Sequence, residues 1–307
     1  MADLTLAAQI ERLKQERDAV ILAHYYVPQE TQELADYVGD SFYLARLART
    51  LDCSTIVLCG VSFMAESVKM LNPKRTVLLP DPKADCPMAH MVSKQTVDTA
   101  RAAYDDLAVV CYINSTAEVK AWSDVCVTSA NAVAVVRALP QHNILFIPDM
   151  HLGHYVSLQV PEKHFILNQG WCPIHHAMDA ANIALLKEQH PDAIVLAHPE
   201  CTQELLAKAD FIGSTKQMID YVAQSDAREF IIGTVEGVRV EMERVTQGQG
   251  KIFWFTTPAP VCADMMLVTP EKVLVCLRDG TGEVPMPADA VPATAPLDRM
   301  LDLAVAR

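Results

Sequence analysis

Residues 23–41, AHYYVPQETQELADYVGDS, and residues 197–215, AHPECTQELLAKADFIGST, carry Ala, His, Gln, Glu, Ala, Asp and Gly at matching places without a gap. A third, weaker copy lies between them at 111–129, CYINSTAEVKAWSDVCVTS. All three keep Glu at the eighth place (Glu30, Glu118, Glu204), Asp at the fourteenth (Asp36, Asp124, Asp210) and a hydroxyl at the nineteenth (Ser41, Ser129, Thr215). The step from His24 to Ser41, Tyr112 to Ser129 and His198 to Thr215 is 17 residues each time, and the starts are 88 and 86 residues apart. Self-similarity at a fixed period limits the chain to tandem copies of one structural unit.

Each period holds short β-rich runs separated by helical patterns. The runs are AVILAHYY, TIVLCG, TVLLP, LAVVCYI, NILFIP, AIVLAH, EFIIGT and KIFWF. Helices are predicted over 42–51, 130–139 and 216–223, and an amphipathic helix over 1–18. Continuously apolar strands alternating with helices indicate the α/β class, with parallel sheets covered by helices on both faces. The expected division is a first α/β repeat over 1–104, a second over 105–190, a third over 191–285 and a C-terminal helix within 286–307 that packs back on the first repeat. Three such repeats are expected about a pseudo-threefold axis, with the active site at the centre.

The nine cysteines sort by this period. Cys86, Cys172 and Cys262 fall 62, 60 and 64 residues after His24, Tyr112 and His198, each after a strand and a Pro- or Gly-containing loop. The other six do not recur, and no C-x-x-C supports a zinc ribbon or a thioredoxin motif. Three equivalent loops meeting at an axis bring three thiolates to one point with a coordination position left over, and soft sulfur ligands suit zinc or an iron–sulfur cluster.

The ends of the repeated stretch carry a second signal. Each opens with polar groups at the carboxyl end of a strand: His24 with Tyr26, Tyr112 with Asn114, His198 with Glu200. Ligands of α/β sheets bind at that edge. Each closes with Ser41, Ser129 or Thr215 at a helix start, where a hydroxyl either caps the helix or joins its free N–H groups in holding an anion.

A net charge of −13 over 307 residues offers no basic face for nucleic acid or an anionic membrane. No apolar run approaches the roughly 20 residues that span a bilayer, and Met1–Asp18 lacks the build of a secretory leader. A cytoplasmic protein without membrane or nucleic-acid partners is expected.

The stretches ILAHYYVPQETQELADYVGDS, CGVSFMAES, LLPDPKADCPMAHMV, YINSTAEVKAWSDVCVTSANAV, PDMHLGHYVS, GWCPIH, AHPEC, DFIGST and LDRML together resemble the quinolinate synthases, enzymes of NAD biosynthesis. The resemblance implies three similar α/β domains around a central site. It also implies one 4Fe–4S cluster held by Cys86, Cys172 and Cys262, with its fourth iron open to substrate. The implied reaction condenses iminoaspartate with dihydroxyacetone phosphate and releases phosphate and water. On the same basis Glu200, Tyr26 and His24 are the expected catalytic groups. His24, Ser41, Tyr112, Ile113, Asn114, Ser129, His198, Pro199, Glu200 and Thr215 are the expected substrate contacts, and His175 is a candidate partner of the cluster. A transient contact with the enzyme that supplies iminoaspartate is the one protein partner the resemblance suggests. The chain departs from the family pattern at Val27-Pro28, at Ala263-Asp264 after the third cysteine, and at Val235, where Glu is usual. The cysteines that in some members precede the third ligand are absent here, which excludes a disulfide switch at that place. Two other readings stay open on the residues alone: another cluster-dependent hydro-lyase, and a non-catalytic three-cysteine sensor.

Overall fold

The computed structural model describes residues 5–305. Twelve strands form three four-stranded sheets, parallel throughout. The first holds β1 (Ala19–His24), β2 (Tyr37–Gly39), β3 (Thr55–Cys59) and β4 (Thr76–Leu78). The second holds β5 (Leu107–Tyr112), β6 (Val125–Val127), β7 (Asn143–Ile147) and β8 (His164–Leu167). The third holds β9 (Ile194–Ala197), β10 (Phe211–Ile212), β11 (Glu229–Gly233) and β12 (Ile252–Trp254). The spatial order is the same in each: second strand, first, third, fourth. The α/β class and the three similar units therefore stand as expected.

The apolar runs are explained by burial on both faces. In the third sheet Leu196, Phe230 and Ile232 pack with Met218, Ile219 and Val222 on one side. Their neighbours Val195, Ala197 and Ile231 pack with Ile183 and Leu205 on the other. Alternate residues of a strand point to opposite faces, so a sheet covered twice admits no polar face.

The repeated Asp has a structural task in all three units. Its Oδ2 accepts the backbone N–H of the first strand at Ile21 (2.7 Å, from Asp36), Val109 (2.7 Å, from Asp124) and Val195 (2.9 Å, from Asp210). Its own N–H returns the bond to the carbonyl of the same residue at 2.8–2.9 Å. This two-bond clasp pins the start of the short second strand to the first. The second strands, and β8, escape sequence reading because two to four residues carry too little periodicity. The repeated Glu30, Glu118 and Glu204 are exposed acids in the first turn of short helices.

The helix that follows each cysteine covers the next sheet. Lys94–Ala103 lies on β5, Ala180–Gln189 on β11, and Pro270–Asp279 returns to β3 and the first helix, Leu6–Glu16. Pro270–Asp279, placed by sequence in the third repeat, thus closes the ring onto the first sheet. The C-terminal helix, Ala290–Val305, touches the first unit at helix Ser62–Leu71 and through an Arg49–Asp298 ion pair at 3.2 Å. Its main seat is β6 with helices Ala117–Ala121 and Ala132–Ala138, in contrast to the expected packing on the first repeat. Apolar composition accounts for this: Val125, Cys126 and Val127 make edge strand β6 wholly apolar, and beneath the helix all three are 0% exposed, whereas β2 and β10 stay partly open. Ala293, Leu297, Met300 and Leu301 supply the cover.

Asp210→Ala leaves the buried Val195 N–H without its partner and is expected to cost ~1–3 kcal/mol, read as a lowered denaturation midpoint. Glu204→Ala, at an equally repeated but exposed position, is expected to stay within ~0.5 kcal/mol.

Candidate functional site

The carboxyl ends of the three sheets converge on a cavity of about 140 Å³, lined by residues from all three units. His24 ends β1 and Tyr112 ends β5, while His198 directly follows β9, and all three are buried. The Nδ1 of His24 accepts the Tyr26 backbone N–H at 3.2 Å, and that of His198 faces the Glu200 N–H at 3.4 Å. A neutral imidazole whose Nδ1 accepts carries its proton on Nε2. That nitrogen of His198 lies 3.2 Å from Ser129 Oγ. Burial pushes His24 down to about 4 and His198 down to about 3, against the opposing charge of Glu200, so both are neutral near pH 7.

The repeated hydroxyls are not spent on capping. Asp40, not Ser41, caps the first helix by accepting from Tyr43 N at 2.8 Å. Ser214, not Thr215, caps the third in a reciprocal box with Gln217. In the second unit the helix starts only at Ala132, and Asn131 Oδ1 accepts the Thr128 N–H. Ser41, Ser129 and Thr215 all line the cavity instead.

The cysteines divide as the period predicts. Cys53, Cys59, Cys111, Cys126, Cys201 and Cys276 are buried, while Cys86, Cys172 and Cys262 are partly exposed and face the cavity. Each of these three opens a helical turn, Pro87–His90, Pro173–His176 or the turn at Met265–Leu267. Burial raises all three thiols, and backbone N–H groups of the following turn oppose it: Met88 and Ala89, His175, and Asp264 and Met265 respectively. Three soft donors lining one cavity, disfavoured as free thiolates but already facing amide donors, fit a cationic metal centre that would compensate their charge. A second grouping of donors overlaps them, since ligand atoms of Cys172, His175 and Glu200 lie within 4.8 Å of one another.

Glu200 is the carboxylate of the site. It is 3% exposed, with Oε2 2.7 Å from His175 Nδ1 and 3.4 Å from His198 Nδ1. Burial works against its charge, but His175, His198 and the Tyr112 hydroxyl outweigh burial and hold it down at about 2. Among the described residues its Oε1 has no hydrogen-bond partner, nor have the cavity-lining Asn114 Oδ1 and Thr128 Oγ1. Buried polar atoms ordinarily find partners, so these three point at a ligand. Tyr26, its phenol pushed up by burial, bonds Thr215 Oγ1 at 2.7 Å and Thr234 Oγ1 at 2.8 Å.

Ile113 and Asn114 also line the cavity, but Pro199, expected as a substrate contact, is buried outside its wall. Sequence reasoning missed Val61, Val235 and Thr234. They follow β3 and β11, the third strands of their sheets, and the carboxyl-edge rule had been applied only to the first strands. It also missed Phe63, and Asp85 and Asp264 beside the cysteines.

The chain matches the family model described as "NadA: Quinolinate synthetase A protein" over residues 8–302. It is 47% identical over 297 residues to a protein named quinolinate synthase from Fusobacterium nucleatum, covering 96% of this chain and 98% of that one. It is 44% identical to the one from Caldicellulosiruptor saccharolyticus, covering 96% and 97%, and 42% identical to the one from Aquifex aeolicus, covering 97% and 94%. Likeness along the whole of both chains reaches every wall of the cavity and every loop that carries a cavity cysteine, and the chain belongs to the quinolinate synthase family.

Proposed function

We propose that this cavity condenses iminoaspartate with dihydroxyacetone phosphate to give quinolinate, phosphate and water. One observation carries the reading. Of nine cysteines, only the three at equivalent places in the three units are partly exposed, and all three face the cavity where the polar strand ends meet. Cys86, Cys172 and Cys262 would hold a 4Fe–4S cluster. When bound, the cluster supplies a Lewis-acidic iron with an open position, suited to the dehydration steps.

The chain's own residues supply the rest. Both substrates are anions, one a dicarboxylate and the other a phosphate ester. Ser41 and Thr215 stand at the first position of their helices, where N–H groups and the helix dipole favour negative charge, and Ser129 stands in the matching turn. His198 Nε2–H donates to Ser129 Oγ at 3.2 Å, which leaves the serine hydroxyl hydrogen for a ligand oxygen. Glu200, ionised and with Oε1 free of protein partners, can take a proton from the condensing carbon and return it to a departing hydroxyl. Tyr26, protonated through burial, can donate or orient opposite it. His24 packs edge-on against the Tyr26 ring at 4.6 Å between centroids, limiting where the phenol can sit. None of the described helices is long and apolar enough to cross a membrane, and we place this reaction in the cytoplasm.

Anaerobically purified protein should carry about four iron and four sulfide per chain and release quinolinate and phosphate together. A cluster-bearing protein that leaves dihydroxyacetone phosphate intact would point to another hydro-lyase. Cys172→Ser should lose both iron and activity, because a hard hydroxyl replaces a soft ligand. Cys53→Ser, in the first core, should keep both. A full iron complement in Cys172→Ser would reject the ligand assignment.

Glu200→Gln keeps the size of the side chain but not its capacity to take and return a proton. Turnover is expected to fall by roughly 10²-fold or more, with iron content unchanged and quinolinate still bound. Wild-type turnover in this variant would move the acid–base role to Tyr26.

A further inference from the structure

Strands β5 and β6 set two cysteines side by side. Cys111 and Cys126 are partners in the parallel register, both are 0% exposed, and neither lines the cavity. Side chains of directly paired residues share one face, and adjoining strands run about 4.8 Å apart. That spacing falls within the roughly 4.4–6.8 Å that separates the Cα atoms of a disulfide. The two thiols also share a buried cation. Lys120, among the largest fully buried side chains, donates from Nζ to the Ser115 carbonyl and lies 5.4 Å over the Phe63 ring. Burial works against its charge, and Cys126, Cys111 and Glu66 are the groups that oppose that loss. We propose that Cys111 and Cys126 are a redox modification site, where hydrogen peroxide converts the two thiols to a cross-strand disulfide with Lys120 as counter-charge. The inference is independent of the reaction assigned to the cavity.

Their surroundings make the two thiols unequal. Burial opposes a thiolate at Cys111, but the Cys126 S–H and Lys120 outweigh it and draw that thiol below its ordinary range, while Cys126 is pushed well above. One thiol is thereby suited to attack and the other to resolve. The Cys111 thiolate attacks one peroxide oxygen, the O–O bond breaks, and the released hydroxide leaves as water with the proton that Cys111 lost. The Cys126 sulfur then attacks the sulfenic sulfur of Cys111. The S–S bond forms, the S–O bond breaks, and the departing hydroxide leaves as water with the Cys126 proton. The two thiols lose two electrons and the peroxide becomes two waters. A disulfide between paired strands is strained and easily reduced, which suits a reversible mark.

Access comes through the sheet edge. Strand β6 pairs with β5 alone, and its cover is the last helix, Ala290–Val305. Chain-terminal elements lie at the low end of local stability, so brief lifting of this helix admits a molecule as small as hydrogen peroxide. The mark would be felt at the cavity. Cys111 stands one residue before Tyr112, whose hydroxyl supports Glu200, and Cys126 three before Ser129. Oxidation also removes the bond from Cys111 S–H to the Tyr112 carbonyl, 3.3 Å long.

The protein carries its own comparison. Cys59 and Cys276 are as deeply buried, on β3 and the helix over it, but burial pushes both thiols up and only Arg17 opposes, at Cys276. Cluster-loaded protein is treated with hydrogen peroxide, alkylated in denaturant and digested with trypsin without reduction. Cleavage after Lys120 places the two cysteines on separate peptides, 102–120 and 121–137. We expect these peptides joined, about tenfold or more faster than Cys59 is lost, and both thiols restored by dithiothreitol. In Cys126→Ser, Cys111 should stop at the sulfenic acid and be trapped by a 1,3-dicarbonyl reagent. Free Cys111 and Cys126 thiols at a dose that strips the iron, or loss of Cys59 at an equal rate, overturns the proposal. An untrapped, still reduced Cys111 in Cys126→Ser overturns it as well.

Discussion

The site is organised around one costly feature, a carboxylate buried in the middle of the protein. An ionised group out of water persists only if neighbours compensate it. Glu200, in the third unit, meets that condition through His175 at 2.7 Å and the Tyr112 hydroxyl, both of the second. The charge can exist only once those units have closed on one another. The polar strand ends and the cysteine turns serve the same end. They bring groups that are far apart in sequence to fixed distances around a charge that water would otherwise solvate.

Repetition supplies the frame, and departures from it supply the chemistry. The Asp clasp is identical in all three sheets because every unit needs its second strand pinned. The cysteines are equivalent because each unit contributes one donor to the same cavity. At the strand ends the copies diverge into Tyr26, Asn114 and Glu200, a phenol, an amide and a carboxylate. One ligand lacking threefold symmetry needs three unlike contacts, which a strictly symmetric pocket would not offer.

The same contrast decides what the sequence disclosed. Residues bound by a local and repeated rule were legible: the apolar strand runs, the 17-residue step to Ser41, Ser129 and Thr215, and the cysteine spacing. Features set by a single tertiary contact were not. The C-terminal helix covers β6, the one sheet edge that is fully buried as a result, and nothing in residues 286–307 names its partner. The hydroxyls at the helix starts read equally as caps. Only the presence of Asp40 and Ser214 in that task leaves Ser41 and Thr215 free for the cavity. Thr234 was hidden for another reason. The strand-end rule covers every strand of a sheet, but the repeat drew attention to the first strand of each.

Closure of the ring ties stability to the site. Each cysteine stands between a strand of its own sheet and a helix that packs on the next, so the three cysteine turns are also the three hand-over points between units. Pro270–Asp279 completes the circuit by packing on Leu6–Glu16 and β3, and Thr31 Oγ1 donates to the Val268 carbonyl at 2.8 Å beside it. A metal centre bound across the three turns would join all three junctions at once. Its binding free energy would then count toward assembly of the whole chain as well as toward the reaction. The contacts from Glu200 to His175 at 2.7 Å, from His175 to Thr234 at 2.8 Å and from Thr234 to Tyr26 at 2.8 Å cross the same junctions. Loosening any one of them would displace a ligand turn and an acid–base group together, which couples the integrity of the fold to the geometry of the cavity.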